Sequence, residues 1–131
     1  MVVLAVKPQD LTEALEPIRF AFHAEHTVLS IAAGVSLANL KKVLHQVRRI
    51  ARAMPNASTL IRRGVVGYCV HSEAKGIETL IEQFLKPMGM VVKAEEGDAF
   101  EGLIVSCASG PGFIFEPTCI VTGKQIGRAH V

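Results

Sequence analysis

The chain has 131 residues, of which 50% are hydrophobic and only 5% are aromatic. Lysine and arginine together number 14 against 12 acidic residues, so the formal net charge is only +2. So small a net charge does not favour nucleic acid or an anionic membrane surface as a partner. A composition rich in aliphatic side chains instead suits an α/β fold, in which helices cover buried strands.

The three cysteines, Cys69, Cys107 and Cys119, are odd in number and lie far apart in the sequence. They form neither a disulfide framework nor a paired-cysteine zinc motif, so we expect reduced thiols and no metal site. The first residues show no basic leader, and their apolar run is too short for a membrane span. We therefore expect a cytoplasmic protein with neither nucleic acid nor a membrane as its partner.

Residues 2–6 form an apolar run that Lys7 and Pro8 end. A run that is apolar at every position predicts a strand buried on both faces within a parallel sheet. Such a strand needs a neighbour on each side, and no element precedes it in this sequence. We therefore expect that an upstream part of the same sheet is missing.

The following residues alternate predicted helices and strands. Capping patterns and apolar stripes predict helices over residues 10–22, 36–47 and 72–85, with Asp10, Ser36 and Ser72 as their caps. Apolar runs predict strands over residues 27–32, 48–52, 64–70 and 90–93. This alternation predicts right-handed crossovers in an open, doubly wound, mostly parallel sheet of the Rossmann-like α/β class.

The alternation stops after Lys93. Asp98 and Glu101 begin a further helix, which a Ser-Gly-Pro-Gly stretch then interrupts. The predicted divisions are the later part of a nucleotide-binding domain at 1–94, the start of an all-α dimerisation domain at 95–116, and a doubtful tail at 117–131. Within that tail, residues 126–131 resemble a translated sequencing adapter and are excluded from structural reasoning.

Three loops directly follow predicted parallel strands, at residues 7–9, 33–35 and 54–56. They should therefore share the sheet edge at which open α/β sheets bind ligands. Asn56 offers amide donors and a carbonyl acceptor, and Pro55 makes its approach rigid, which suits a ribose or a nicotinamide carboxamide. A Pro-Asn pair is also a common turn, so a purely structural function stays open.

Other catalytic patterns are sparse. The sequence shows no nucleophile elbow, no paired-carboxylate signature and no metal-binding histidine pattern. His23 and His26 lie three residues apart, but their position at a predicted helix end favours ordinary surface residues over metal ligands. Ser109 and Gly110 precede a predicted helix and suit a carboxylate or a phosphate, although a simple helix break would use the same residues.

Four segments resemble, in order and spacing, segments of pyrroline-5-carboxylate reductase, the enzyme that completes proline biosynthesis. They are Ala5-Val6-Lys7-Pro8-Gln9, Ser30-Ile31-Ala32-Ala33-Gly34, Arg52-Ala53-Met54-Pro55-Asn56 followed by Gly64, and Ser109-Gly110-Pro111-Gly112-Phe113. The resemblance is nearly continuous from Val2 to Glu116, and the Arg-Ala-Met-Pro-Asn stretch is its most distinctive part.

The resemblance implies hydride transfer from NADPH, or NADH, to the imine carbon of 1-pyrroline-5-carboxylate, which gives L-proline. The cofactor-binding residues that it implies are Ala5, Val6, Lys7, Pro8, Gly34, Met54, Pro55 and Asn56. The candidate substrate-binding residues are Ser109 and Gly110, because a hydroxyl and free amides before a helix suit a carboxylate. It assigns no catalytic residue, but it places an acid near Glu95 or Glu96. The parent enzyme is expected to act on a small cyclic imino acid and to form a homodimer or a larger homo-oligomer.

Two functional parts of that family lie outside the sequence. They are the Gly-rich loop that binds the pyrophosphate of a dinucleotide and a later Gly-x-Thr segment for the substrate carboxylate. We therefore expect this chain to be inactive alone. Two alternatives stay open: another short Rossmann reductase, which the Met-Pro-Asn and Ser-Gly-Pro segments disfavour, and a non-catalytic α/β fragment that dimerises through exposed apolar surface.

Overall fold

The computed structural model describes residues 1–74 and 76–109. Five strands form one sheet in the order β1-β2-β3-β4-β5. Their bounds are Val2–Leu4, Thr27–Ser30, Arg49–Pro55, Gly64–Val70 and Gly89–Lys93. The first three strands run parallel, β4 runs antiparallel to β3, and β5 runs parallel to β4. Three of these four pairings are parallel, so the prediction of a mostly parallel sheet is confirmed.

Helices cover both faces of the sheet. The α-helices α1 to α4 are Leu11–Leu15, Leu37–Val43, Glu78–Leu85 and Asp98–Ile104. Short 3-10 turns cover Pro8–Asp10, Glu16–Ala21, Ala57–Ile61 and Lys86–Met88, and a π-helical turn covers Val105–Ser109. Within 1–74 and 76–109, none of the helices is long and apolar enough to span a lipid bilayer.

The two faces carry separate apolar cores. The first core joins α1, α2 and α4 to the sheet; its buried residues include Leu11, Leu15, Leu37, Leu40, Ile50, Cys69 and Phe100. The second core joins α3 to the opposite face; its buried residues include Leu29, Ala51, Ala53, Tyr68, Ile77, Ile81 and Leu85. Period-2 alternation explains the division, since Ile50 faces one core and Ala51 the other. The doubly wound α/β class is therefore confirmed.

The first strand differs from its prediction in length and burial. β1 ends at Leu4 rather than at residue 6, and Val3 is 38% exposed. Among the described strands β1 lies at one edge of the sheet, with β2 as its neighbour. The apolar composition of residues 2–6 therefore does not correspond to burial on both faces in this structure.

Two predicted helices also differ. Residues 8–21 form a 3-10 turn, the short helix α1 and a second 3-10 segment, instead of one helix capped by Asp10. Pro8 and Pro17 stand at or next to the starts of the two 3-10 segments, where a missing amide hydrogen costs least. The helix predicted from Ser72 begins at Glu78, so Ser72 does not cap it. By contrast, the Ser36 hydroxyl oxygen accepts a 3.1 Å hydrogen bond from the Asn39 amide, as a cap of α2 should.

The segment after β5 packs back onto the sheet. α4 begins at the predicted Asp98, and Phe100 is buried in the first core. A Cβ atom added to Gly67 of β4 would lie 2.6 Å from Cδ2 of Leu103, so the glycine makes room for this helix. α4 therefore shares the core of the preceding strands, and a separate helical domain from residue 95 stays a prediction.

Candidate functional site

The carboxyl ends of β1, β2 and β3 meet at one edge of the sheet because these strands are parallel neighbours. Residues 5–8 follow β1 directly, Gly34 follows β2 by four residues, and Asn56 follows β3 directly. β4 runs the other way, so its first residue, Gly64, returns to the same edge. The structure thus gathers the three segments with the predicted cofactor-binding residues, and we call this the carboxyl edge.

The segment after β1 lies at the protein surface. Ala5, Val6, Lys7 and Pro8 are all exposed. Lys7 is extended, as a residue before proline prefers, and its carbonyl accepts a 3.0 Å hydrogen bond from the Asp10 amide across the turn that Pro8 begins. The Lys-Pro pair therefore ends the strand and leaves residues 5–8 exposed at the carboxyl edge.

Gly34 adopts a left-handed conformation with φ of +71°. Among the described residues, a Cβ atom added there would meet no other atom within 4 Å. The glycine is therefore favoured by its backbone angle rather than by crowding. The space beside its backbone is open, as a backbone contact with a ligand would require.

Met54 and Pro55 belong to a strand and not to the predicted loop. β3 continues to Pro55, and its last two residues pair with Gly67 and Val66 of β4. Both side chains are half-buried, and Met54 packs against the first core. Of the Met-Pro-Asn segment, only Asn56 lies beyond the strand.

Asn56 connects three parts of the chain. Its side-chain Nδ2 donates a 2.9 Å hydrogen bond to the Cys107 carbonyl, and its Oδ1 accepts one of 3.2 Å from the Val65 amide. Its main-chain carbonyl accepts from both the amide and the hydroxyl of Thr59. A side-chain amide has two N–H donors and two acceptor lone pairs, so among residues 1–74 and 76–109 one donor and one acceptor position of the Asn56 amide have no protein partner.

The hydrogen bond between Asn56 and Cys107 places the segment that follows α4 beside the carboxyl edge. The π-helical turn Val105–Ser109 lies beside Asn56, and Ser109 follows Cys107 by two residues. The backbone of this turn, which ends at Ser109, therefore lies near the carboxyl edge. Gly110 lies outside the described residues, and the substrate-binding functions of Ser109 and Gly110 stay predictions.

Glu96 binds other parts of the protein. Its Oε1 accepts a 2.5 Å hydrogen bond from the Leu37 amide at the start of α2 and lies 3.1 Å from Nη1 of Arg52. The Arg52 side chain is only 5% exposed, and its Nη2 lies 3.7 Å from Oε1 of Glu101. These contacts give Glu96 a structural function. Glu95 is exposed in the turn after β5, and a catalytic function of either carboxylate stays a prediction.

Sequence reasoning missed Arg52 as a functional side chain, because it treated the residue only as part of a motif. A signal was present in the alternation of β3: Arg52 falls between Ile50 and Met54 on the face that forms the first core. A buried cation needs an acidic partner, and Glu96 and Glu101 follow in the acid-rich stretch after β5.

A cavity of about 470 Å³ lies away from the predicted cofactor residues. Its lining comprises Leu37, Ala38, Val70, His71, Ser72, Lys93, Ala94, Glu95 and Glu96. None of the predicted cofactor-binding residues contributes to it. Because the parallel strands and the predicted residues meet at the carboxyl edge instead, we assign the candidate site to that edge.

Cys69 illustrates how the fold controls thiol chemistry. Burial raises the pKa of the Cys69 thiol to about 11, while the nearby Arg52 guanidinium opposes part of that rise. At about pH 8 roughly one thiol in a thousand is then ionised, and the thiolate is the reactive form. We expect Cys69 to react with iodoacetamide at least about 100-fold more slowly than the half-buried Cys107.

Peptide mapping by mass spectrometry at several labelling times measures this difference, with the urea-unfolded chain as the control in which both cysteines react. Equal labelling rates at Cys69 and Cys107 in the folded chain would contradict the assigned burial of Cys69.

The sheet, its helices and the three segments at the carboxyl edge define a Rossmann-like α/β protein. No family model matches the chain. The pyrroline-5-carboxylate reductase of Pseudomonas aeruginosa is 29% identical over 133 residues, which span 99% of this chain and 49% of that protein. The structure of the Coxiella burnetii pyrroline-5-carboxylate reductase matches with a TM-score of 0.78 and 32% identity, over 87% of this chain and 43% of the other.

The Plasmodium falciparum pyrroline carboxylate reductase, whose structure has NADP bound, matches with a TM-score of 0.77 over 94% of this chain and 51% of the other. At 19% identity, that likeness supports the fold alone. Over nearly its whole length, the chain is therefore similar to part of a pyrroline-5-carboxylate reductase. The chain spans about half the length of the curated relatives that it matches.

Proposed function

We propose that the chain is the nicotinamide-facing section of a reductase that converts 1-pyrroline-5-carboxylate to L-proline with NADPH or NADH. The observation that carries the proposal is the carboxyl edge itself. There, two segments that resemble the family's cofactor-binding stretches follow β1 and β2, and the third forms the end of β3 and continues to Asn56. Asn56 holds the chain leading to Ser109 beside them. Homology over nearly the whole chain supports the same assignment.

The residues at the carboxyl edge fit the nicotinamide half of such a cofactor. A nicotinamide ring needs an apolar contact surface and a small number of polar groups for its carboxamide. Val6 and the half-buried Met54 and Pro55 offer the surface, and Asn56 and the main chain of the exposed residues 5–8 offer the polar groups. The sequence contains no Gly-x-Gly-x-x-Gly motif for the pyrophosphate, so the proposal concerns the nicotinamide half.

When bound, the cofactor supplies the hydride that reduces the imine carbon of the substrate. The protein residues at the carboxyl edge then act by orientation. Met54 and Pro55 hold one side of the site through the rigidity of β3, and the Lys7-Pro8 turn keeps the facing backbone in place. Positioning of this kind can lower a reaction barrier substantially without any ionisable side chain, and Glu95 and Glu96 are not required for it.

A chimeric enzyme tests the proposal. This chain would replace the homologous section of the Pseudomonas aeruginosa reductase, and the chimera would be assayed by loss of NADPH absorbance with 1-pyrroline-5-carboxylate and by growth of a proline auxotroph. We expect both activities. Asn56→Ala in the chimera should lower turnover by about 10- to 100-fold, because the amide contacts at the carboxyl edge are lost.

Leu60→Ser provides the matched control, because the Leu60 side chain is 89% exposed in the 3-10 turn that follows Asn56. It should leave turnover within about twofold. A folded chimera that consumes no NADPH would overturn the proposed function. The isolated chain should show no turnover above background, and activity there would overturn the expectation that it is inactive alone.

The parent enzyme's substrate is, on this proposal, a small cyclic imino acid. Its assembly into a homodimer or a larger homo-oligomer and its cytoplasmic location stay predictions. Gel filtration of the chimera beside the unaltered Pseudomonas aeruginosa enzyme would report the assembly directly.

A further inference from the structure

The Arg52 side chain joins segments that are distant in the sequence. It binds Glu96, which lies in the turn that follows β5. The same carboxylate accepts a hydrogen bond from the Leu37 amide at the start of α2. The guanidinium also lies 4.9 Å from the centre of the Phe100 ring and approaches Glu101, both on α4. The buried cation of β3 therefore contacts the turn after β5 and the first turn of α4, and through Glu96 it is linked to the start of α2.

α4 crosses the sheet face between two fixed points. Its first turn lies at Arg52, where Phe100 stacks, and its middle packs through Leu103 over Gly67 of β4. Beyond its end, the Cys107 carbonyl accepts the hydrogen bond from Asn56. A displacement of the first turn would therefore carry Cys107 away from the carboxyl edge.

We propose that Arg52 is a positioning residue, which holds α4 in the placement that brings Cys107 to Asn56 and so delivers the following segment to the carboxyl edge. The inference rests on the proposed function for its consequence in catalysis. The positioning of α4 by Arg52 rests on the observed contacts alone.

The ionic contacts are suited to this function because they are directional. Apolar packing of Phe100 and Leu103 stabilises α4 on the sheet but tolerates small rotations and shifts. Charge-assisted hydrogen bonds and the planar guanidinium instead require defined angles, and they lose strength when an acceptor moves. Because the Arg52 side chain is only 5% exposed, water cannot readily replace a carboxylate that moves away. The observed placement of α4 is therefore preferred over slightly shifted ones.

Arg52→Met tests the proposal, since methionine keeps an unbranched apolar stem against Phe100 but removes the fork of donors. Amide hydrogen exchange by NMR would follow the Asn56 side chain, the α4 amides and, as an internal reference, the amide of the buried Val66 in β4. We expect protection of the Asn56 side chain and of α4 to fall about tenfold more than that of Val66. In the chimera, NADPH affinity, measured by nicotinamide fluorescence, should fall by about tenfold.

Lys93→Met removes an exposed ion pair with Glu78 and is the matched control, which should change neither readout. Arg52→Lys should give intermediate losses of exchange protection and of NADPH affinity. If Arg52→Met does not fold, the same two measurements on Arg52→Lys test the proposal. A uniform loss of protection across Asn56, α4 and Val66 would show a merely structural role and overturn the inference. If the unaltered chimera binds no NADPH, the cofactor assignment fails, while the exchange readout on the isolated chain still decides the positioning function.

Discussion

Gly89→Ala is expected to lower the free energy of unfolding by about 4 kcal/mol. Gly89 begins β5 with φ of +136° and ψ of −143°, a region that is essentially open only to glycine. A Cβ atom added there would lie 2.1 Å from the Gly64 carbonyl oxygen and 2.7 Å from its amide nitrogen. Both obstacles are backbone atoms of the neighbouring strand, so no side-chain rotation can relieve the contact.

Urea unfolding followed by circular dichroism measures the effect, provided that the chain unfolds in a two-state transition. Gly76→Ala is the matched control, because Gly76 also has a positive φ, of +79°, but a Cβ atom there would meet nothing within 4 Å in the part of the chain that the structure describes. It should cost only about 1 kcal/mol through backbone strain. Equal losses in the two variants would show that the close approach of Gly64 and Gly89 does not limit stability.

Glu96→Ala is expected to lower the free energy of unfolding by about 3 kcal/mol. The substitution removes the closest partner of the Arg52 guanidinium and the acceptor of the Leu37 amide. Loss of one partner from a buried ion pair costs more than the pair contributes, because the remaining charge stays away from water. Glu101 limits the loss, since its carboxylate still lies 3.7 Å from Arg52.

Glu95→Ala provides the control at the adjacent position, where the carboxylate is exposed and should contribute less than about 0.5 kcal/mol. Both variants would be compared by urea unfolding of the isolated chain. In the chimera, turnover would then be measured under conditions in which each variant is folded. Full turnover by folded Glu96→Ala would leave Glu96 with its structural function alone, whereas equal stability of the two variants would contradict the Arg52–Glu96 contact.

Local sequence patterns predicted several elements well. The strand at Gly64–Val70 and the start of α4 at Asp98 lie where they were predicted, and Ser36 caps α2. Each of these features depends on residues close together in the sequence. One is an apolar run bounded by glycine, and another is a hydroxyl oxygen that accepts a hydrogen bond from the amide three residues later. Such signals are complete within the local sequence.

Predictions failed where distant partners decide the outcome. β3 extends to Pro55 because β4 returns antiparallel beside it, and no local feature of the Met-Pro-Asn segment reveals that pairing. The Ser72 pattern resembles a helix cap, yet α3 begins six residues later, at Glu78. A capping pattern permits a helix at that point, but tertiary packing determines where the helix begins.

The sequence by itself determined the α/β class and the resemblance to a reductase family, because hydrophobic periodicity, turn residues and short motifs are properties of neighbouring residues. Only the tertiary structure decided that Arg52 binds Glu96, 44 residues away, and that Asn56 binds Cys107, 51 residues away. The sequence names the charges and amides but not their partners, since several acids and carbonyls are equally available to each. Burial in the folded sheet removes water as a competitor and leaves one geometry in which these groups are satisfied.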